Sequence, residues 1–214
     1  MAEKGNVLHS FYSEKTQRFY RLVEVPDDFP CLEISGIKMH CQGSGIKSTV
    51  NAMAASLKPV RGKVLDCCFG QGYAALELAK QPGVEKVFSF EKDENVLEIA
   101  RVNEFSKSVF ENPKVLVANR PVEEALKEFP SGFFDAMLHD PPSMKIAGEL
   151  YSQEFYNLLF QKLKKGGKLF HYVGSPGKKS GKDIRRGVIE RLKKAGFKQV
   201  LEVQKALGLL ALKN

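Results

Sequence analysis

Two short stretches of this chain carry residue types and spacings that could do chemistry. The first is Asp66-Cys67-Cys68-Phe69-Gly70-Gln71-Gly72. An apolar run leads into a glycine pair, and a helical pattern follows. Glycine there can take positive φ and lets a ligand approach the backbone closely. A helix start behind such a turn offers unpaired N–H groups. Glu91 then ends the next apolar run, about twenty residues on, where a dinucleotide fold sets a carboxylate against a ribose. The spacing implies a nucleotide cradle built on Asp66, Gly70, Gly72 and Glu91, with Phe69 and Lys92 as walls. The G-x-G-x-x-G pattern is not met, because its third glycine falls on Ala75. A nicotinamide site or an empty turn stays the alternative.

The second stretch is His139-Asp140-Pro141-Pro142-Ser143. Two consecutive prolines lock their own φ and restrict the residue before them, so a carbonyl and the Asp140 carboxylate are held facing one way. An exocyclic amine on a base is a weak nucleophile. A carboxylate and a carbonyl that accept its N–H bonds orient it for attack, which is catalysis by placement. Asp140, Pro141 and Pro142 are the expected catalytic residues. The competing reading is a proline-rich turn that ends a strand. His139 and His171 could move a proton here, but histidines satisfied inside a sheet are commoner, so they rank below Asp140.

The elements that must position these residues alternate. Strands are expected at 63–68, 86–90, 115–118, 134–139 and 168–173, with helices at 73–80, 94–106, 122–129, 151–163 and 184–195 between and after them. Two strands, 197–203 and 207–212, close the chain. Strands alternating with helices predict an α/β fold with a seven-stranded, mainly parallel sheet covered on both faces. Ligands of such sheets bind beyond the carboxyl ends of the strands, near the point where strand order reverses. Residues 1–42 read as a separate small β unit, with strand-like runs at 17–24 and 31–40, and residues 43–214 as the catalytic domain. Phe11, Tyr12, Phe19 and Tyr20 read as the packing face of that unit. Ser48 is expected to cap a helix over 49–57.

The net charge is +8. Residues 161–198 alone hold thirteen Lys and Arg against Asp183 and Glu190. Concentrated positive charge is the footprint of a polyanion, with an ion-paired surface as the bland alternative. RNA is therefore the expected partner, held by Lys178, Lys179, Arg185 and Arg186. No apolar stretch of membrane-spanning length exists and the N-terminus lacks an apolar signal region, so a cytoplasmic location is expected. Cys31, Cys41, Cys67 and Cys68 read as packing residues, and Cys31-His40-Cys41 matches no zinc spacing. No metal is expected.

Asp66-x-x-x-Gly70-x-Gly72 followed by Glu91 resembles the first two motifs of class I S-adenosylmethionine (SAM) methyltransferases. Asp140-Pro141-Pro142 resembles motif IV of amino-methyltransferases, with Ser143 in place of the ring that stacks on the target base. Residues 148–152 and 169–174 are similar to predicted archaeal methyltransferases. The resemblance implies SAM as cofactor, Asn119 and Arg120 near its adenine, Tyr151 or Tyr172 as substitute stacking rings, and methylation of a base nitrogen in tRNA or rRNA. The alternative is an aminopropyltransferase related to spermidine synthase, which shares the fold, an N-terminal strand unit and the run 151–167. That family usually sets two acids in a serine-rich loop after the fourth strand, where this chain offers only Asp140. A non-catalytic RNA binder on the same scaffold is the third reading, and a DNA substrate is not distinguished from RNA.

Overall fold

Alternating polar and apolar residues open the chain and build a small sheet. The computed structural model describes residues 5–39, 45–174 and 184–214. Strands β1 (Val7–Ser13), β2 (Arg18–Val23), β3 (Cys31–Ile34) and β4 (Ile37–Lys38) pair antiparallel in that order. The structure adds β1, an exposed edge, to the two strands expected, and breaks the 31–40 run at Ser35-Gly36. Both residues take positive φ, 47° and 80°, as a two-residue hairpin turn of the mirror-image type requires. Tyr20, Leu22 and Leu32 are buried against Val96 and Ile99 of a later helix. Phe11 stacks on Tyr20 at 5.3 Å, while Tyr12 and Phe19 stay exposed, so only half of the expected aromatic face packs.

Helix α1 (Ile46–Ser56) begins earlier than expected. Ser48 is an exposed residue inside it and does not cap it. The carboxylate of Asp28, from the loop between β2 and β3, accepts from the N–H groups of Ile46 (2.6 Å) and Lys47 (2.7 Å). A distant acid thus supplies the cap, worth about 1 kcal/mol, that local sequence assigned to a serine.

From residue 62 the chain alternates: β5 (Gly62–Asp66), α2 (Tyr73–Ala79), β6 (Val84–Glu91), α3 (Glu94–Val102), α4 (Lys107–Glu111), β7 (Val115–Asn119), α5 (Val122–Ala125), β8 (Phe134–His139), α6 (Gln153–Lys162), β9 (Leu163–Tyr172), α7 (Arg185–Ala195), β10 (Gln199–Val203) and β11 (Gly208–Leu212). The seven-stranded sheet has the order β10-β11-β9-β8-β5-β6-β7. Only β11 runs antiparallel to its neighbours β9 and β10. The α/β class read from the alternation holds, with a small antiparallel sheet at the N-terminus.

Three boundaries differ for local reasons. The helix expected over 94–106 breaks at Asn103, whose amide donates to Gln71 Oε1 (2.9 Å) and Tyr73 Oη (2.7 Å) and so leaves the helical path. The helix expected over 122–129 ends early in a 3₁₀ turn, Leu126–Glu128. β9 starts at Leu163 and runs through Gly166, which takes φ +78°. Successive residues of β5 point to opposite faces: Val64 joins one core with Met53, Leu78 and Val87, and Leu65 joins the other with Phe134, Met137 and Tyr156. This is the two-sided burial that parallel strands need. Cys31 and Cys67 are buried, and burial holds the thiols of Cys67 and Cys68 well above their ordinary range. His40 and Cys41 lie outside the described residues. Among the described residues, no cluster of three His, Cys, Asp or Glu could hold a metal, and no helix is long and apolar enough to cross a membrane.

Candidate active site

β5 lies between β6 and β8, so strand order reverses there. The three strands are parallel and end at one edge of the sheet. Glu91 closes β6, and Asp140 follows β8. Between them opens a cavity of about 250 Å³, lined by Phe69, Gly70, Gln71, Glu91, Asp93 and Asp140 among others. Leu32 and Ile34 of β3, with Met39, roof it from the N-terminal sheet.

Gly70 and Gly72 take φ +55° and +74°. A Cβ on Gly72 would stand 2.6 Å from Phe69 Cζ, whereas a Cβ on Gly70 would meet nothing within 4 Å. Gly72 is needed for packing; Gly70 leaves backbone open to the cavity. The Gly70 N–H donates to Glu91 Oε2 (3.1 Å), and the Asp93 N–H donates to Glu91 Oε1 (3.0 Å). Asp93 caps α3 through the Asn95 N–H (3.0 Å) and accepts from Tyr20 Oη (2.6 Å). A bonded path therefore runs from the glycine loop to the N-terminal sheet. Asp66 is wholly buried beneath the cavity rather than on its wall, and its Oδ2 accepts from Ser89 Oγ (2.6 Å). Asp66 Oδ1 and Gln71 Nε2 are buried with no hydrogen-bond partner among the described residues. Buried polar atoms ordinarily find partners, and an open glycine backbone beside a rigid carboxylate fits a hydroxyl-bearing ligand.

Burial raises Asp66, Glu91 and Asp140 to about 7 each. Asp66 is raised further by the charges of Asp140 and Glu91, against the lowering bond from Ser89. Acids tuned to neutrality can take up a proton at working pH. The Asp140 loop is braced on both sides. His139 Nε2 donates to the Leu150 carbonyl (3.0 Å), and Tyr151 Oη donates to the Pro142 carbonyl (3.0 Å). His171 Nδ1 donates to the His139 carbonyl (3.2 Å), so its Nε2 accepts from Tyr156 Oη (3.0 Å). Desolvation lowers His139 to about 4 and His171 well below its ordinary value. Burial thus favours the neutral form of both imidazoles, and their bonds brace the loop.

The remaining expected site residues divide. Lys92 lines the cavity but is ion-paired with Glu149 (2.9 Å). Pro141 and Pro142 line it beside Asp140. Asn119 donates to the Glu91 carbonyl (2.8 Å), and Arg120 forks onto Glu128 (2.7 and 2.9 Å). Ser143 is exposed, and its carbonyl accepts from Ile146 and Ala147. Tyr151 is buried under Pro142 and has no face to offer a base. Tyr172 is half-buried at the end of β9. Arg185 pairs with Glu202 (3.4 Å) and Arg186 with Glu190 (3.0 Å). Lys178 and Lys179 lie outside the described residues. Lys162, Lys164 and Lys168 bind Phe129 O, Asp135 and the carbonyls of Leu57 and Lys58. Lys162 closes α6, and Lys164 and Lys168 lie in the first part of β9, away from the cavity. Sequence reading missed Asp93 and the N-terminal roof. Asp93-Glu94-Asn95 is a readable helix cap, but nothing local tells that the cap borders a cavity.

A family model described as the spermine/spermidine synthase domain matches residues 44–200. An uncharacterized protein of Methanocaldococcus jannaschii is 44% identical over 199 residues, covering 91% of this chain and 67% of that protein. A polyamine aminopropyltransferase of Mycobacterium tuberculosis is 35% identical over 116 residues, which is 50% of this chain and 22% of that protein. The chain thus spans about a fifth of the length of this mycobacterial relative. A crystal structure of spermidine synthase with the transition-state analogue AdoDATO superimposes with TM-score 0.79 at 22% identity, over 97% of this chain and 74% of that one. Spermidine synthase from Thermotoga maritima gives TM-score 0.76 at 21% identity, over 97% and 73%. These matches overturn the expectation of a SAM-dependent RNA methyltransferase, and with it RNA binding as the assigned role. The glycine loop and the acid after β8 belong to a scaffold that both chemistries use, so those motifs could not separate them. The residues expected to stack on a base or hold RNA, Tyr151, Tyr172, Arg185 and Arg186, are not among those that line the cavity. The chain belongs to the spermine/spermidine synthase domain family.

Proposed function

We propose that this protein is an aminopropyltransferase, moving the aminopropyl group of decarboxylated SAM onto an amine. The observation that carries the reading is Asp140: a carboxylate raised to about 7, braced by two prolines, on the wall of a cavity whose opposite strand end holds Glu91. Family membership supports it, as does the absence of any need for a metal, since a sulfonium is already activated. The open backbone of Gly70 and the doubly anchored Glu91 would hold the adenosyl sugar. Glu91 and Asp140 also offset the donor's cationic centre, where a nearby negative charge favours binding.

An amine reaches the cavity as ammonium near neutral pH. Asp140 takes its proton, and the nitrogen lone pair becomes available. The N–C bond to the aminopropyl group forms as the C–S bond breaks, and that electron pair leaves on sulfur as methylthioadenosine. The two prolines and the His171, His139 and Tyr151 bonds fix the acceptor carboxylate so that little reorganisation is needed. Incubating the purified chain with decarboxylated SAM and amines, and following methylthioadenosine by chromatography, tests the reading. Release that depends on the amine and is lost in Asp140→Asn supports it. Turnover with SAM in place of its decarboxylated form sinks it.

A further inference from the structure

Asp66 touches no ligand in the proposed reaction, yet the sheet sets it directly behind two acids that would. The parallel register puts Asp66 abreast of Ser89 in β6 and of Leu138 in β8. Side chains alternate along a strand. Glu91, two residues beyond Ser89, and Asp140, two beyond Leu138, therefore share the face of Asp66 and lie one row nearer the cavity. With strands about 4.8 Å apart and alternate residues about 6.6 Å along, the Asp66 Cα lies roughly 8 Å from each on the diagonal. Asp66 is wholly buried. Its Oδ2 accepts from Ser89 Oγ (2.6 Å), and its Oδ1 has no partner among the described residues. The charges that act on it are those of Asp140 and Glu91. Cys68, between those two acids in the next row, is held as the thiol by burial. Lys92 follows Glu91 in the chain but is paired with Glu149 (2.9 Å).

A buried negative charge at that range disfavours a second one beside it, and the two acids then titrate as a coupled set. We infer that Asp66 is a positioning residue that acts through Asp140: its charge makes Asp140 hold a proton more tightly, and so makes it a stronger base toward the ammonium of the acceptor. The inference rests on the aminopropyltransferase reading, which supplies that ammonium. A carboxylate of ordinary proton affinity is a weak base near neutral pH, and general-base catalysis improves as the base is tuned toward the working pH. Asp66 itself titrates at about 7, so its charge is present at and above neutrality, where Asp140 must act. No bond to Asp66 forms or breaks in the reaction. The proton passes from the ammonium to Asp140 and from there to water.

The test titrates Asp140 directly, by carboxyl-carbon NMR of the full chain, with Asp140→Asn identifying its signal. Asp66→Asn keeps the shape and removes the charge. It should lower the Asp140 midpoint by about one pH unit, the size expected of one charge at this distance in a medium of intermediate polarity. The rising limb of kcat against pH should move down with it, while the uncharged product methylthioadenosine binds as it does to the parent chain. A merely structural role would weaken that binding and leave the midpoint in place. Ser89→Ala removes the bond that favours the Asp66 charge, and should lower the Asp140 midpoint by about half as much. An unmoved midpoint in either variant, folded by its melting curve, overturns the inference and leaves the aminopropyltransferase reading intact. A midpoint that moves in a chain from which no amine releases methylthioadenosine removes that reading while upholding the coupling.

Discussion

The two edges of the large sheet carry opposite chemistry. At the carboxyl ends of β5, β6 and β8, three carboxyl groups are buried or half-buried and raised to about 7. Where α6 passes into β9, Lys162, Lys164 and Lys168 are bonded to carbonyls and to Asp135. The first edge gathers charge that its surroundings resist, which is the mark of a reactive site. The second satisfies the charge of these three lysines with carbonyls and a carboxylate of the fold itself. The net charge of +8 is thus no guide to the ligand. Charge count drew the sequence reading toward a polyanion, whereas placement and pairing turn it away.

Asp140→Asn is the strongest way to break this contrast. It should lower kcat by about 10²–10⁴, the range for a lost general base, while calorimetry still detects donor binding. An unchanged kcat would take Asp140 out of the chemistry. Glu91→Gln keeps the shape but removes the charge between Gly70 and Asp93. Loss of a charged hydrogen-bonding partner, about 1.5–3 kcal/mol, predicts donor Kd weakened by roughly 10- to 100-fold, measured by titration calorimetry.

Acidity sharpens the contrast further. Asp140 must be ionised to take a proton, so kcat should rise with pH through about 7. Between pH 6 and 8 its ionised fraction, and with it kcat, should grow by about tenfold. A flat profile there would show that another group accepts the proton. Stability runs the other way. Folded Asp66, Glu91 and Asp140 have raised pKa values, so they bind more protons than in the unfolded chain. Their contribution is fully present below the unfolded carboxylate range and is lost as pH rises through about 7.

Asp93→Ala removes a helix cap and the Tyr20 bond. A loss of about 1 kcal/mol, or roughly 2–4 °C in Tm, follows, and calorimetric melting reads it. The smallest effect belongs to the opposite edge and its neighbouring helix. Lys165→Ala and Arg186→Ala should change activity less than twofold and stability by under about 0.5 kcal/mol each. A larger loss of activity would give that face a part in the reaction.

Much of the architecture was legible because it is local and periodic. The strand runs, the glycine turn, Glu91 at a strand end and Asp140-Pro-Pro after β8 all fell where the alternation put them. What escaped depends on distant partners. Ser48 looked like a cap because nothing near it shows that Asp28 would reach the start of α1. The helix after Asp93 looked continuous because Asn103 leaves it for Gln71 and Tyr73 across the fold. Tyr151 looked like a stacking ring, yet its hydroxyl is spent on Pro142. The chemistry was the least legible part. A glycine loop and an acid fix where a sulfonium donor would lie, not which of its carbons is transferred.

The bonded path from Gly70 through Glu91 and Asp93 to Tyr20 has a dynamic consequence. It ties the roof and the floor of the cavity into one opening unit, although they belong to different sheets. A ligand that binds only the closed form stabilises that unit by RT ln(1 + [L]/Kd), about 2.7 kcal/mol at a hundredfold excess over Kd. Deuterium uptake at the amides of β2 and β3 should then slow in step with that of the glycine loop as the cavity fills, so that the N-terminal sheet reports occupancy of a site most of whose chemistry lies elsewhere.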